Sequence, residues 1–205
     1  MGRFRRLCDT REVMADFRRK YEIPDDVNLE LAPVDHDPEC YDRGYATIHI
    51  PIMAIVEGEV RFPLHELLCQ TLSYYNLCPM QCKANMFRLI MGIVVINILM
   101  ETNLDVYDIC HFYILSVFHD ENTYYFKARD RGRKLVTDLP YNAKGGDEDF
   151  LIVTGNWIVR DASSRVVGTH VPNCFRTACI RVNRGGAKVT PAVHVEDIQK
   201  VFKYR

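Results

Sequence analysis

The stretch F-P-L-H-E-L-L-C-Q-T-L, residues 62–72, decides the fold of this 205-residue chain. Pro63 suits the first turn of a helix, where its missing N–H removes no hydrogen bond. The stretch therefore predicts a helix that begins at Pro63 and ends before Pro79, and it is the first helix of a helical core. Apolar residues recur along it at helical spacing: Leu64, Leu67, Leu68, Leu72 and Tyr75.

Two more helices follow this one. The run from about Asn85 to Met100 is too long and too apolar for a strand, so it predicts a helix that is buried on most sides. Asp105-x-x-Asp108 can cap the free N–H groups of a third helix, which we expect to run through Phe118. The three helices predict a core over residues 63–118. Six side chains are expected to be buried together in it: Leu68, Leu72, Ile90, Val94, Ile109 and Phe112.

The hydrophobic period changes from helical to two after residue 118. In Y-Y-F-K-A, residues 124–128, Tyr124, Phe126 and Ala128 alternate with Tyr125 and Lys127, as in a half-buried strand. Arg131-Gly132-Arg133 predicts a turn, and residues 135–137 and 150–157 predict two further strands. The sequence therefore predicts an α+β fold, in which a small antiparallel sheet over residues 122–158 follows the helical core.

The chain before the core begins with a basic helix. Asp9 can cap it, Glu12 can reach back to the same end, and Pro24 stops it. Its expected apolar face consists of Val13, Met14, Phe17 and Tyr21.

An acidic segment that is rich in proline and glycine follows, over residues 24–44, and it predicts a linker. The apolar stretch 45–56 is interrupted by Pro51, so any strand there lies at a sheet edge or ends at that point. We therefore divide the chain into three parts: an N-terminal helix with its acidic linker (1–44), an α+β domain (45–158) and a C-terminal extension (159–205).

Composition excludes several classes of protein. The net charge of −1, from 26 basic and 27 acidic residues, argues against a broad face for duplex DNA. Charged residues follow the first few positions, so no apolar signal region is present, and the eight cysteines predict reduced thiols in the nucleus or cytoplasm. No uncharged run reaches the roughly 18 residues of a membrane span. We expect a soluble, intracellular protein with no membrane partner.

Histidines and cysteines cluster around the first core helix. His65 and Cys69 stand four residues apart on it and could share a metal ion. The spacing of the cluster matches neither C-x-x-C nor the zinc knuckle C-x₂-C-x₄-H-x₄-C, so we interpret its cysteines as buried thiols. We expect no metal and no cofactor. The cluster consists of His65, Cys69, Cys78 and Cys82, with Cys110 and His111 downstream.

The sequence shows no catalytic constellation. Asp9-Thr10 continues into Arg11, where an aspartic protease requires glycine. Asp25-Asp26 lies in a polar segment, away from the strand turn on which a polymerase holds two metal ions. Three helices occupy the place where an RNase-H-like nuclease or transposase carries its sheet and its three carboxylates. We expect no enzyme activity and assign no catalytic residue.

Aromatic and basic residues are mixed in the strand and turn after residue 123. Proteins that bind single-stranded nucleic acid use such a mixture, because bases stack on the rings and the cations bind phosphates. An aromatic strand packed on the helices beside a solvated basic turn is the simpler explanation of the same pattern. The candidate nucleic-acid contacts are Tyr125, Lys127, Arg129, Arg131, Arg133 and Lys134.

Three segments together resemble the gypsy-type transposon domain family of plants. They are F-P-L-H-E-L-L (62–68), N-M-F-R-L (85–89) and F-L-I-V-T-G-N-W (150–157), and the resemblance covers about residues 56–157. Ala84 departs from the family, which has Pro there, and Lys144-Gly145-Gly146 stands where the family has K-G-W. The resemblance implies descent from a mobile element, and it implies no catalytic residues.

These observations leave two functions from different classes. The first is a non-catalytic, retroelement-derived structural or interaction module, gag-like, that self-associates or binds other chains of a longer product. The second is a weak nucleic-acid-binding module that uses the basic N-terminal helix and residues 124–134. A transposase remnant is a distant third. The near-neutral charge and the lack of zinc knuckles favour the first.

Overall fold

The computed structural model describes residues 3–33, 47–118, 123–140, 149–158 and 171. The predicted C-terminal extension lies outside this part of the chain, apart from Val171. Short 3₁₀ turns occupy Arg5–Leu7 and Pro79–Gln81. The helices and strands are α1 (Arg11–Lys20), β1 (Val27–Leu31), β2 (Ile48–Pro51), α2 (Ile52–Val56), α3 (Glu66–Tyr75), α4 (Ala84–Met100), α5 (Val106–Phe112), β3 (Tyr113–Val117), β4 (Tyr124–Ala128) and β5 (Phe150–Gly155).

These elements form an α+β fold, as predicted. The helical core is confirmed, since α3, α4 and α5 pack together and the six side chains expected there are all buried in one hydrophobic cluster. The N-terminal helix is confirmed as well. Its Phe17 and the following Tyr21 are buried in the same cluster, beside the core helices.

The strands form two antiparallel sheets instead of the expected single one. β5 lies at the centre of a three-stranded sheet, between β1 and β2, while β4 pairs with β3 in a separate hairpin. Residues 135–137, predicted as a strand, are not one. The backbone N–H groups of Leu135 and Val136 donate instead to the Tyr113 hydroxyl, over 2.9 and 3.1 Å, so a side chain takes the place of a strand partner.

Part of the predicted linker is a strand. β1 pairs with β5 in a register that places Val27 opposite Gly155 and Leu31 opposite Leu151. The interpretation of residues 24–44 as a linker is therefore wrong for 27–31, because pairing with a distant segment supplies hydrogen bonds that the local composition does not announce. Residues 34–44 lie outside the described part. Pro51 ends β2, an edge strand, as expected, and the chain enters α2.

The ends of the helices differ in detail from the predictions. α3 begins at Glu66 with His65 as its N-cap, so Pro63 lies before the helix and not in its first turn. The cap of α1 is Thr10, whose hydroxyl accepts the Val13 N–H at 3.3 Å, and not Asp9. In both helices, the residue directly before the first helical residue accepts a backbone N–H of the first turn through its side chain.

α5 confirms its predicted start and corrects its predicted end. The Asp105 carboxylate accepts the N–H groups of Tyr107 and Asp108, and the Asp108 carboxylate accepts that of Asp105, which completes a capping box. The helix ends at Phe112 instead of Phe118. Residues 113–117 pair with β4 residue by residue, and this cross-strand ladder replaces the helical hydrogen bonds.

Candidate functional site

The most exposed large apolar side chains of the described residues lie on α4. Leu99 is 77% exposed, Ile98 69% and Val95 50%. Ile93 and Val94, on the side of the helix that faces the core, are buried. The expectation that this helix is buried on most sides is wrong for its C-terminal half. α2, α3 and β4 pack on its inner side and leave the opposite side to solvent.

These side chains belong to a continuous stripe, which we call the α4 face. It consists of Met91, Gly92, Val95, Ile98 and Leu99. With about 100° of rotation per residue, the five positions fall within an arc of roughly 120° centred on Val95. The helix carries no charged residue between Arg88 and Glu101. The α4 face is therefore an apolar surface that no charge interrupts.

A groove of about 400 Å³ lies beside the N-terminal half of this face, between α4 and the segment that follows α2. Gly92 contributes no side chain to it, and a Cβ there would lie 3.1 Å from a Val136 methyl group. The two arginines at the rim are paired with carboxylates, Arg88 with Glu57 at 2.6 Å and Arg61 with Glu59 at 2.7 Å. The groove therefore has an apolar floor, and the charged groups at its rim are two arginine–glutamate ion pairs.

The β3–β4 hairpin brings two of the predicted nucleic-acid contacts together. Tyr125 and Lys127 lie on its outward face, opposite Ser116 and Ile114 in the register. The structure adds two residues that the sequence did not single out. The Phe118 ring packs edge-to-face on Tyr125, with centroids 6.2 Å apart, and the Lys83 ammonium lies 5.2 Å from the Phe118 ring centre. The sequence pattern predicts Phe118 at the end of a helix, so it does not indicate that this ring lies on the hairpin.

The remaining basic candidates are placed differently. The Arg129 guanidinium donates to the Cys110 carbonyl at 3.0 Å, so it is bound to the end of α5. Arg131 and Arg133 are exposed in the turn after β4, and Lys134 is half-buried. The Asp130 carboxylate accepts the Gly132 N–H at 2.8 Å within the same turn and offsets part of its positive charge. The six candidates thus do not form one row of ligands.

The cysteines of the helical core are buried. Cys69, Cys78 and Cys82 lie inside the hydrophobic core, and burial raises the pKa of the Cys69 thiol to about 12. Burial also raises the pKa of Cys110, whose sulfur lies 3.0 Å from the Tyr75 hydroxyl. Thiolates are the form that binds metals. Within the described ranges, no three His, Cys, Asp or Glu side chains are grouped so that they could hold a metal ion.

His65 has a structural role that the sequence did not indicate. Its Nδ1 accepts the Leu67 N–H at 3.1 Å and so caps α3. Burial lowers the pKa of the imidazole, against an opposing effect of the Glu66 carboxylate. The neutral ring is therefore the capping form, because a protonated Nδ1 cannot accept a hydrogen bond.

Among the residues that the structure describes, no helix is long and apolar enough to span a bilayer. Comparison with family models, with curated proteins and with solved structures gives no match to this chain. The resemblance to the gypsy-type transposon family accordingly stays a prediction from the sequence.

Proposed function

We propose that this chain is a non-catalytic, intracellular, retroelement-derived interaction module, gag-like, that self-associates through the α4 face. Its descent is supported by the motifs at residues 62–68, 85–89 and 150–157. Its mode of action is supported by the exposure of Val95, Ile98 and Leu99. Contiguous apolar surface of this kind marks sites of protein interaction.

A second copy of the chain fits this surface because the α4 face carries both a projection and a recess. Ile98 and Leu99 project into solvent at one end, and the groove beside Gly92 is open at the other. In a two-fold symmetric contact, if residue i of one copy contacts residue j of the other, then j also contacts i, so a projection at one end of the face meets the recess at the other end. An uncharged stripe can meet itself in this way without repulsion between like charges.

The spacing along α4 defines the expected register. If two copies of α4 cross antiparallel with the two-fold axis at Val95, Leu99 of each copy lies opposite Met91 of the other. Ile98 then lies opposite Gly92, beside the groove between α4 and the segment that follows α2. One helix face with its groove is small beside the roughly 1,600 Å² of a standard interface. We therefore expect a weak, concentration-dependent dimer.

Sedimentation equilibrium of the full chain over a range of concentrations tests this function. Leu99→Lys should weaken dimerisation at least about tenfold, because a buried Leu at two symmetric positions is replaced by a charge. Val117→Lys is the control, since Val117 is an exposed aliphatic residue like Leu99 but lies on β3. A parent protein that stays monomeric at all concentrations would refute self-association.

A second variant tests the register itself. Met91→Glu alone should weaken the dimer as Leu99→Lys does. The two substitutions in one chain should restore it in part, because each introduced lysine then lies opposite an introduced glutamate of the other copy. If the double variant is weaker than both single variants, the antiparallel register is wrong.

The outward face of the β3–β4 hairpin favours nucleic-acid binding as a second candidate. Tyr125, which is half-buried, and Phe118, which is exposed, form an aromatic pair on this face, and Lys83 and Lys127 lie beside it. Bases can stack on such a pair while the two cations bind phosphates. Few phosphates would be contacted, so the affinity should fall with salt only along a shallow slope.

Titration of a fluorescent single-stranded oligonucleotide at several salt concentrations tests the second candidate. Tyr125→Ala should weaken binding about tenfold through loss of one stacked base. Charge reversal at Arg131, Arg133 and Lys134 should have a smaller effect if the hairpin face is the site. If only the triple reversal abolishes tight binding, the basic turn is the site instead. Binding that is absent at low salt eliminates this candidate and leaves the first untouched.

A further inference from the structure

A cleft of about 660 Å³ separates α3 from the loop between α4 and α5. We propose that this cleft, which is lined by two tyrosine rings and two carboxylates, binds an organic cation, the guanidinium or alkylammonium group of a ligand. This site is distinct from the α4 face and does not depend on self-association. One wall is formed by Glu66 and Tyr74 of α3, and the other by Asp105 and Tyr107.

The loop wall of the cleft is held in place by one side chain of α4. The Asn97 amide oxygen accepts the Leu104 N–H at 2.9 Å and the Thr102 hydroxyl at 2.8 Å. Its amide nitrogen donates to the Leu104 carbonyl at 2.9 Å. The Asp105 capping box then fixes the start of α5. The wall is therefore shaped before any ligand arrives, which lowers the entropic cost of binding.

Two aromatic rings line the cleft. Tyr74 and Tyr107 are nearly perpendicular, at 83°, with centroids 5.8 Å apart, and Tyr107 is 40% exposed. The face of an aromatic ring carries partial negative charge, so it attracts a cation that lies over it. The two rings pack edge-to-face on each other, so a ligand contacts them from the open side of the cleft, where Tyr107 is exposed. Contact with a ring face suits a cation with an organic body better than a bare metal ion.

The charges around the cleft have one sign. Glu66 and Asp105 contribute carboxylates, and the lining contains no lysine or arginine. His65, also in the lining, caps α3 through Nδ1, and burial lowers the pKa of its ring. It is therefore neutral near pH 7. Asp105 accepts backbone N–H groups and Glu66 accepts from Gln70, but each carboxylate keeps further lone pairs for a ligand.

The volume and the chemistry agree on the class of ligand. Pockets of about 300–1,000 Å³ take small organic molecules or single side chains. The N-terminal ends of α3 and α5 line the cleft and would attract an anion, but Glu66 and Asp105 lie at those ends and repel it. A neutral ligand would leave both carboxylates without a charged partner. An organic cation uses the rings and the carboxylates together.

The direct test is titration of the full chain with N-acetyl-arginine methylamide, followed by NMR of its tyrosine rings. The matched neutral probe is N-acetyl-citrulline methylamide, which keeps the shape and removes the charge. We expect saturable shifts of Tyr74 and Tyr107 with the arginine probe only. Equal shifts with both probes, or no saturable shift with the arginine probe, would overturn the proposal. Tetramethylammonium, titrated in parallel, distinguishes a preference for guanidinium from one for quaternary ammonium.

Substitutions then separate the contributions of the two charges and of the Tyr107 ring to binding from any effect on folding. Glu66→Gln with Asp105→Asn removes both charges, and Asn still caps α5 because it is an N-cap residue of similar quality. This pair should weaken binding about threefold or more, and Tyr107→Leu should weaken it about two- to fivefold. Tyr107→Phe keeps the ring and should bind as the parent does. If the charge-free variant remains folded and binds the arginine probe unchanged, the assignment fails.

Discussion

The backbone N–H of Leu64 donates a hydrogen bond to the carbonyl of Trp157 over 2.8 Å. This bond joins two residues that are far apart in sequence and both buried. Leu64 lies just before α3, the first helix of the core, and Trp157 follows β5, the central strand of the larger sheet. This bond connects the helical core directly to that sheet. It also joins the motif at residues 62–68 to the motif at residues 150–157.

Two neighbouring valines of α4 test the division between core and surface. Val94 is buried and Val95 is half exposed, so the same substitution has different effects. Val94→Ala should lower the free energy of unfolding by about 2 kcal/mol through the cavity left behind, while Val95→Ala should change it by less than about 0.5 kcal/mol. Chemical denaturation measures both values. Equal effects at the two positions would contradict the orientation of α4.

Among the described glycines, Gly155 has the backbone conformation that most clearly requires a residue without a side chain. Its φ is +86°, and a Cβ there would lie 2.2 Å from the Asp26 carbonyl oxygen. Gly155→Ala should therefore destabilise the protein by more than about 1 kcal/mol. Gly132→Ala is the control, because a Cβ at that position meets only a carboxylate oxygen at 3.5 Å. Thermal unfolding of the two variants should differ clearly, and similar melting temperatures would count against the β1–β5 contact.

The cap of α3 should make stability depend on pH. Burial lowers the pKa of His65 below its usual 6.5, so the unfolded chain binds this proton more readily than the folded one. The contribution is complete above pH 6.5 and is lost as the pH falls below that value. His65→Asn keeps a cap that does not titrate.

Urea denaturation of both proteins between pH 8 and 5 measures this effect. The parent should lose stability more steeply than His65→Asn below pH 6.5, since the carboxylates that titrate there are common to both. Parallel curves would show that His65 does not cap α3 in its neutral form.

The cysteines of the core should differ in reactivity. Burial raises the pKa of Cys69 to about 12 and that of Cys82 well above its usual value, so neither thiol is ionised or accessible in the folded protein. Cys110 is only half-buried. Among the cysteines that the structure describes, iodoacetamide at pH 8 should therefore alkylate Cys110 first, and Cys69 and Cys82 only after unfolding. Peptide mass spectrometry gives the order, and early labelling of Cys69 would contradict its burial.

The sequence by itself determined the elements whose signals are local. The apolar spacing of residues 64–75 and the long run that forms α4 predict helices, because a helix satisfies its hydrogen bonds within one segment. Asp105 and Asp108 stand at capping-box spacing, and the alternation in residues 124–128 predicts β4. Pro51 ends β2 because its ring cannot donate to a ladder. Each of these features depends on residues within a few positions of one another.

Only the tertiary structure decided the pairing of strands and the exposed surfaces. Residues 113–117 fit the apolar period of a helix, yet they form β3 because β4 supplies a complete ladder of partners. β1 is a strand through its register with β5, more than a hundred residues away. α4 is apolar around most of its circumference, and whether Leu99 is buried depends on which elements pack against it. Strand pairing and burial are properties of two segments at once, so no pattern within one segment can determine them.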